Sequence, residues 1–182
     1  MFTVHRELSQ NKGVFSMRLP SEMYTKPAVD LAPLLLGKTL CRRIGGEIIR
    51  HRITETEAYA GESDTACHAH KGKTPRTSVM YEQGGIAYIY LCYGIHNLLN
   101  VVACDAGNPE AVLIRGLEGI SGPGRLTKAL GIDRALNRES FITSDLLWLE
   151  EGEPLAFTAT PRIGIGYASE KDQKRLWRFV AN

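Results

Sequence analysis

From Ile48 to Tyr59 the chain runs as one strand-like stretch, Ile48-Ile49-Arg50-His51-Arg52-Ile53 passing straight into Thr54-Glu55-Thr56-Glu57-Ala58-Tyr59. Strand alternation puts Ile53, Glu55, Glu57 and Tyr59 on one face. If that face is the apolar side of a sheet, two glutamates there carry a desolvation cost that a purely structural strand avoids. A carboxylate and a phenol at i and i+2 are also neighbours in space. The run therefore predicts both a sheet and a site on it.

The segments around it supply the sheet. Residues 40–44 and 48–53 flank Gly45-Gly46-Glu47, a turn signal that predicts a hairpin. Residues 87–91 and 98–103 form a second strand pair with Tyr93-Gly94 near the tip between them, and 111–117 is another strand with Arg115 as an isolated charge. A short apolar helix is expected over 28–36, entered at Pro27 and closed by Gly37. Ser121-Gly122-Pro123-Gly124 opens a second helix through Leu130, and further strands are expected over 162–180. Residues 60–83 exceed an ordinary connection and carry His68, His70, Lys71, Lys73 and Arg76, which predicts a functional loop with some helical turns. Residues 1–20 read as an N-terminal arm and 21–182 as one domain. Runs of neighbouring strands with helices outside them give the class α+β with an antiparallel sheet.

A length of 182 residues with 43% hydrophobic content is enough for one domain with a real core. There is no run of eighteen apolar residues, and Met1-Phe2-Thr3-Val4-His5-Arg6 lacks the apolar core of a signal peptide. The expectation is a soluble intracellular protein with no membrane partner: cytoplasmic, at the nucleoid, in a bacterium, or nuclear in a eukaryote. Disulfides are disfavoured there, so Cys41, Cys67, Cys92 and Cys104, which lack C-x-x-C spacing, read as buried thiols. The net charge of +2 permits nucleic acid as a partner without announcing it.

Glu57, Tyr59, His68, Tyr90, Tyr93 and Asn100 place one carboxylate, four flat rings and one side-chain amide within fewer than fifty positions. The set suggests a pocket that stacks on a planar group beside an acid–base residue. Each member also has a plain structural reading. Glu57 would pair with Arg52 or Arg115, and the tyrosines would be sheet aromatics, which is the reading adopted for Tyr88. Tyr93 differs, because a ring beside Gly94 at a tight turn projects from the sheet. Cys67-His68-Ala69-His70 with Glu57 or Cys92 offers a zinc alternative, disfavoured because zinc ligands are usually better-separated pairs, and no metal is assigned. The basic loop 71–76 and the pair Arg125 and Lys128 at a helix start, with the backbone amides of Gly122-Pro123-Gly124, suit phosphate.

The ordered set of segments Glu55-Thr56-Glu57-Ala58-Tyr59, Gly61-Glu62-Ser63-Asp64-Thr65-Ala66-Cys67-His68-Ala69, Thr74-Pro75-Arg76, Tyr88-Ile89-Tyr90-Leu91-Cys92-Tyr93-Gly94, Asn100-Val101-Val102, Val112-Leu113-Ile114-Arg115 and Ser121-Gly122-Pro123-Gly124 resembles the alkyladenine (methylpurine, 3-methyladenine) DNA glycosylase family over about residues 25–180. The resemblance implies one compact domain around a curved, open-barrel-like antiparallel sheet with peripheral helices. It implies that Glu57 activates a water against C1′ of a damaged nucleotide, with Arg115 holding the water and the carboxylate. Tyr59 on one side and His68 and Tyr90 on the other would grip the flipped base, Asn100 would exclude the exocyclic amine of guanine, and Tyr93 would fill the gap in the duplex. Lys73, Thr74, Arg76, Gly122, Gly124 and Arg125 would meet the DNA backbone. Thr77 and Arg125 depart from the asparagine and lysine usual in the family, both expected as changes at backbone contacts. The implied enzyme needs no cofactor and acts as a monomer on double-stranded DNA. Having no lysine in its pocket, it would be monofunctional and leave an abasic site. His68 or a backbone donor is the suggested acid for neutral bases. Rival readings are a non-catalytic damaged-nucleic-acid module and a zinc-dependent nucleoside or base hydrolase. Glu55 receives no role.

Overall fold

The structure is a computed structural model, and it describes residues 17–182. The predicted hairpin is present as β1 (Thr39–Ile44) and β2 (Glu47–Ala60). Gly45 and Gly46 both take positive φ, 56° and 90°, the two-residue turn whose twist matches the strands it joins. Glu47 belongs to β2, paired with Ile44.

The remaining strands are β3 (Ala87–Cys92), β4 (His96–Ala103), β5 (Glu110–Leu117), β6 (Ile120–Ser121), β7 (Leu147–Glu150), β8 (Phe157–Thr160) and β9 (Arg178–Ala181). All pairings between them are antiparallel, in the order β3-β4-β5-β2-β1-β7, with β6 on β5 and the β8–β9 pair joined through β9 to β2. Among the described residues no pairing joins β3 to β7, so the sheet is open. With α1 (Ala28–Leu34), α2 (Pro123–Ala129) and α3 (Glu170–Gln173) outside it, the class is α+β as expected.

At fourteen residues β2 spans two sub-sheets. Residues 47–52 pair with β1, residues 53–60 with β5 and residues 55–57 with β9. The register against β5 shifts between Ile53 and Glu55 and again between Glu55 and Thr56. Such an irregularity bends a strand and resets its alternation. Ile53 therefore joins the main core beside Ala58, while the Thr56 hydroxyl donates to the Ala32 carbonyl on α1. Glu55, Glu57 and Tyr59 take the opposite side. The expectation that Ile53 shares their face fails because of this bulge. Opposite it, a side chain on Gly116 would meet Glu55 Cβ at 3.0 Å, so glycine leaves that glutamate its room.

One side of the sheet is closed by α1, α2 and the cluster of Leu31, Leu35, Ile53, Leu99, Ile114 and Phe141. The other is covered by residues 60–83, whose one-turn helices Gly61–Ser63, His68–Lys71 and Ser78–Tyr81 press Cys67, Ala69, Val79 and Met80 onto Tyr88, Val102 and Ala111. The predicted helical turns in that loop are present.

Three sequence expectations change. α1 ends at Leu34, with Pro33 in its last turn and the Leu36 N–H bonded to the Pro33 carbonyl. β7 and β8 lie outside the predicted strands. The tail holds one strand, β9, and the short α3 capped by the Ser169 hydroxyl, because residues 161–169 direct their hydrogen bonds into the site. Of the arm, the described end is tied down: Leu19 is buried and its N–H donates to the Leu149 carbonyl. Cys41, Cys67 and Cys104 are buried thiols, while Cys92 is only partly buried. Among the described residues no helix is long and apolar enough to cross a membrane.

Candidate active site

Glu57 is fully buried near the end of β2. Its Oε2 accepts the Tyr59 hydroxyl at 2.8 Å and its Oε1 accepts the Ile163 N–H at 2.8 Å, with Arg115 Nε at 3.5 Å from the same oxygen. Burial pushes its carboxyl above the usual value, against the pull of Arg115, the Ile163 amide and the Tyr59 hydroxyl. The same burial, with the Glu57 charge beside it, pushes the Tyr59 phenol up, so it stays protonated and donates.

Glu55 acquires a role. Its Oε1 accepts Arg115 Nε at 2.9 Å and Arg178 Nε at 2.6 Å. Burial works against its ionisation, but the bonds from Arg178 and Arg115 overcome it and hold the carboxyl below its usual value. Arg115 is thereby oriented between the two glutamates. Of the two partners expected for Glu57, Arg115 is the observed one; Arg52 bonds the Glu153 carbonyl instead.

Rings line a cleft that Glu57 meets through its partners Tyr59, Ile163 and Arg115. Tyr59, His68 and Tyr90 line a cleft of about 1440 Å³ that also takes in Arg115 and Tyr93. A smaller recess of about 30 Å³ opens between Tyr59, His68, Tyr88, Tyr90 and Asn100. His68 meets Tyr90 edge-on at 4.5 Å and its Nδ1 lies 2.9 Å from the Tyr88 hydroxyl. Tyr88, taken from sequence as a plain sheet aromatic, thus holds a pocket ring in place. Burial, with Arg76 nearby, lowers His68 to about 4. A neutral imidazole stacks well and gives up a proton less readily at pH 7 than an imidazolium. Asn100 is buried with its Nδ2 donating to the Tyr88 carbonyl at 3.1 Å.

Tyr93 sits at the β3–β4 tip, 88% exposed and at φ 51°, followed by Gly94 at φ 71°. A left-handed tyrosine is strained by about 1–2 kcal/mol, and here the strain aims a large ring into solvent.

Thr74, Arg76, Gly122, Gly124 and Arg125 line the cleft, but Lys73 does not: its ammonium lies 5.3 Å from the Tyr81 ring centre. Thr77 also borders the cleft. It is buried, and its hydroxyl accepts the Thr74 N–H and reaches the Gly72 carbonyl, so it braces the loop from within. His70 Nδ1 lies 2.8 Å from the Glu62 carbonyl. Among the described residues no three His, Cys, Asp or Glu side chains converge on a common point.

Two residues without a sequence-assigned role lie behind the lining of the cleft. Asp64 and Arg162 form an ion pair with both side chains fully buried, at 2.6 Å and 2.9 Å, and Arg162 donates to the Ala58 carbonyl. The guanidinium lies 4.8 Å from the Tyr59 ring centre, and the next residue is Ile163, whose N–H reaches Glu57. No periodicity links positions 98 residues apart, so the pair is invisible in sequence.

The family model for methylpurine-DNA glycosylase (MPG) matches residues 22–122 and 116–182. The chain belongs to the methylpurine-DNA glycosylase family. Its relatives agree. A protein of Borreliella burgdorferi (strain ZS7) named "Putative 3-methyladenine DNA glycosylase" is 46% identical over 170 residues, covering 86% of this chain and 91% of the relative. Proteins of the same name from Methanocella arvoryzae and Myxococcus xanthus are 44% and 46% identical, covering 88% and 87% of this chain and 90% and 89% of their own lengths. The protein is accordingly a DNA N-glycosylase, an enzyme of base excision repair.

Proposed function

We propose that this glycosylase flips alkylated purines, cationic 3-methyladenine and 7-methylguanine foremost, out of duplex DNA and hydrolyses the N-glycosidic bond with a water activated by Glu57. The observation that carries this reading is the buried Glu57 carboxylate, held by the Tyr59 hydroxyl, the Ile163 amide and Arg115, three residues that themselves line the ring-lined cleft. A carboxylate offers about four lone-pair sites, so positions remain for a water beside the observed donors. The water oxygen bonds C1′ as the C1′–N bond breaks, and its proton passes to Glu57. With an alkylated base the electron pair of the broken bond neutralises the cation, and no acid is needed.

The base would lie on the open face of Tyr59 with His68 and Tyr90 across it, its far edge toward Asn100. A cationic purine stacks favourably on electron-rich rings. Arg76, Arg125 and the backbone at Gly122 and Gly124 would meet phosphates. Neutral hypoxanthine and ethenoadenine must be protonated on leaving, and a neutral His68 supplies that proton less readily, which predicts slower release of these bases.

Incubation with methylated duplex DNA should release free 3-methyladenine, unaffected by EDTA. Binding without release would favour a non-catalytic module, and loss of release with chelator would favour a zinc hydrolase. Tyr93→Ala tests the wedge. Because a wedge offsets the few kcal/mol of lost stacking only in a duplex, the variant should lose roughly tenfold or more in lesion affinity for duplex and little for single strands. Equal losses in both would remove the wedge role.

A further inference from the structure

The pocket presents one face of Tyr59 to the cleft, and the other is already occupied. Arg162 lies over the ring at 4.8 Å and beside Trp177 at 5.1 Å, its side chain fully buried and outside the cleft lining. A base stacked on the open face of Tyr59 would complete a column of Trp177, guanidinium, Tyr59 and purine. A stacking separation of about 3.5 Å added to the observed spacing puts the purine some 8 Å from the Arg162 charge. At an effective dielectric constant of about 20, two like charges at that distance repel strongly enough to weaken binding roughly thirtyfold. A lone guanidinium behind Tyr59 would therefore oppose the cationic lesions that the ring itself favours.

Asp64 removes that opposition. It takes Arg162 in a two-pronged pair and also accepts the Ala60 and Ala66 N–H groups. Around the carboxylate end of the pocket the charges then balance, Glu55, Glu57 and Asp64 against Arg115, Arg162 and Arg178. Arg76, 5.6 Å from the Tyr90 ring centre, lines the open cleft, within reach of a DNA phosphate in the reading given above.

We propose that the Asp64–Arg162 pair is a specificity-determining element: by neutralising the guanidinium stacked behind Tyr59, Asp64 permits a cationic purine on the ring's open face and sets the preference for cationic over neutral bases. The inference rests on the proposed stacking of the lesion against Tyr59. Asp64 and Arg162 act through Tyr59 and touch no substrate.

The test uses duplexes that differ in charge alone, 3-methyladenine and its uncharged isostere 3-deaza-3-methyladenine, both with 2′-fluoro sugars that resist cleavage. Affinities are measured for the full-length protein, Asp64→Asn, Arg162→Gln and the double variant, with folding followed by thermal melting. In Asp64→Asn the cation-to-isostere affinity ratio should fall about tenfold, somewhat less than the Coulomb figure because solvent in the cleft screens it. In Arg162→Gln, which leaves the carboxylate unopposed, the ratio should rise. In the double variant it should return to within about threefold of wild type. A purely structural role would lower both affinities together and leave the ratio alone, and that result in either single variant overturns the proposal, as does a double variant that keeps the Asp64→Asn ratio. If Asp64→Asn does not fold, the opposite shift in Arg162→Gln decides. Wild type that binds neither duplex more tightly than undamaged DNA would instead overturn the proposed function, and this inference with it.

Discussion

Glu57→Gln should bind duplex containing 3-methyladenine within a few-fold of wild type and release the base at least 10²- to 10⁴-fold more slowly in single turnover, the usual worth of a general base. Glutamine keeps the shape but cannot accept the water's proton, nor can it place a charge beside an oxocarbenium-like sugar. It also keeps only one acceptor oxygen where three donors, the Tyr59 hydroxyl, the Ile163 amide and Arg115, converge. One of them must face the new NH₂ group, so a stability loss of about 1–3 kcal/mol should accompany the loss of rate. The pH profile separates the two effects. Burial raises the Glu57 pKa above the ordinary carboxylate value, and the active form is the ionised one, so wild-type kcat/KM should fall as pH drops through that raised value. The residual rate of the variant should lack this limb. A variant with wild-type single-turnover rates would remove Glu57 from the chemistry.

How much of this site could be read in advance depends on how far apart its members lie in the chain. Glu57 and Tyr59 were legible as a pair because alternation makes i and i+2 neighbours, and the hairpins followed from glycine turns. Arg115 stood out as a charge in an apolar strand, and cross-strand pairing of β2 with β5 brings it to Glu57. Glu55 could be noticed but not explained, since Arg178 is 123 residues away. Asp64 and Arg162 lay in separate loops with no shared period. Ile53 was misplaced because a bulge leaves no mark on a hydrophobic pattern. The helical tail was obscured because its backbone bonds to the site instead of to a neighbouring strand. Local rules thus supplied the chemistry-bearing strand, while the residues that hold it in position came from long-range contacts.

Arg115 is where those two kinds of contact meet, and its replacement by methionine should have the largest effect on stability. The side chain is 12% exposed, with Glu55 11% and Glu57 0% exposed around it, so solvent offers little screening. Removing one partner from a buried ionic cluster costs about 3–5 kcal/mol, because the charges left behind have no compensation. Glu55 keeps Arg178, but Glu57 loses Arg115, its one cationic neighbour within 4 Å among the described residues. The Glu57 pKa should rise further, moving the acid limb of kcat/KM to higher pH. The Glu57 contribution to the pH dependence of folding should grow without changing sign, because its folded pKa is already raised in wild type. In wild type, Glu55, whose folded pKa is depressed, contributes stability that is present above its unfolded value and lost as pH falls through its folded value. In Arg115→Met, Glu57 has a folded pKa well above its unfolded one, so protonation stabilises the fold, and the variant should regain part of its lost stability as pH is lowered from neutrality toward 5. Denaturant unfolding at a series of pH values reads this directly. A stability deficit that stays constant across that range would show that Arg115 supports the site by packing and not by charge, and an unshifted acid limb would deny it any hold on the Glu57 proton.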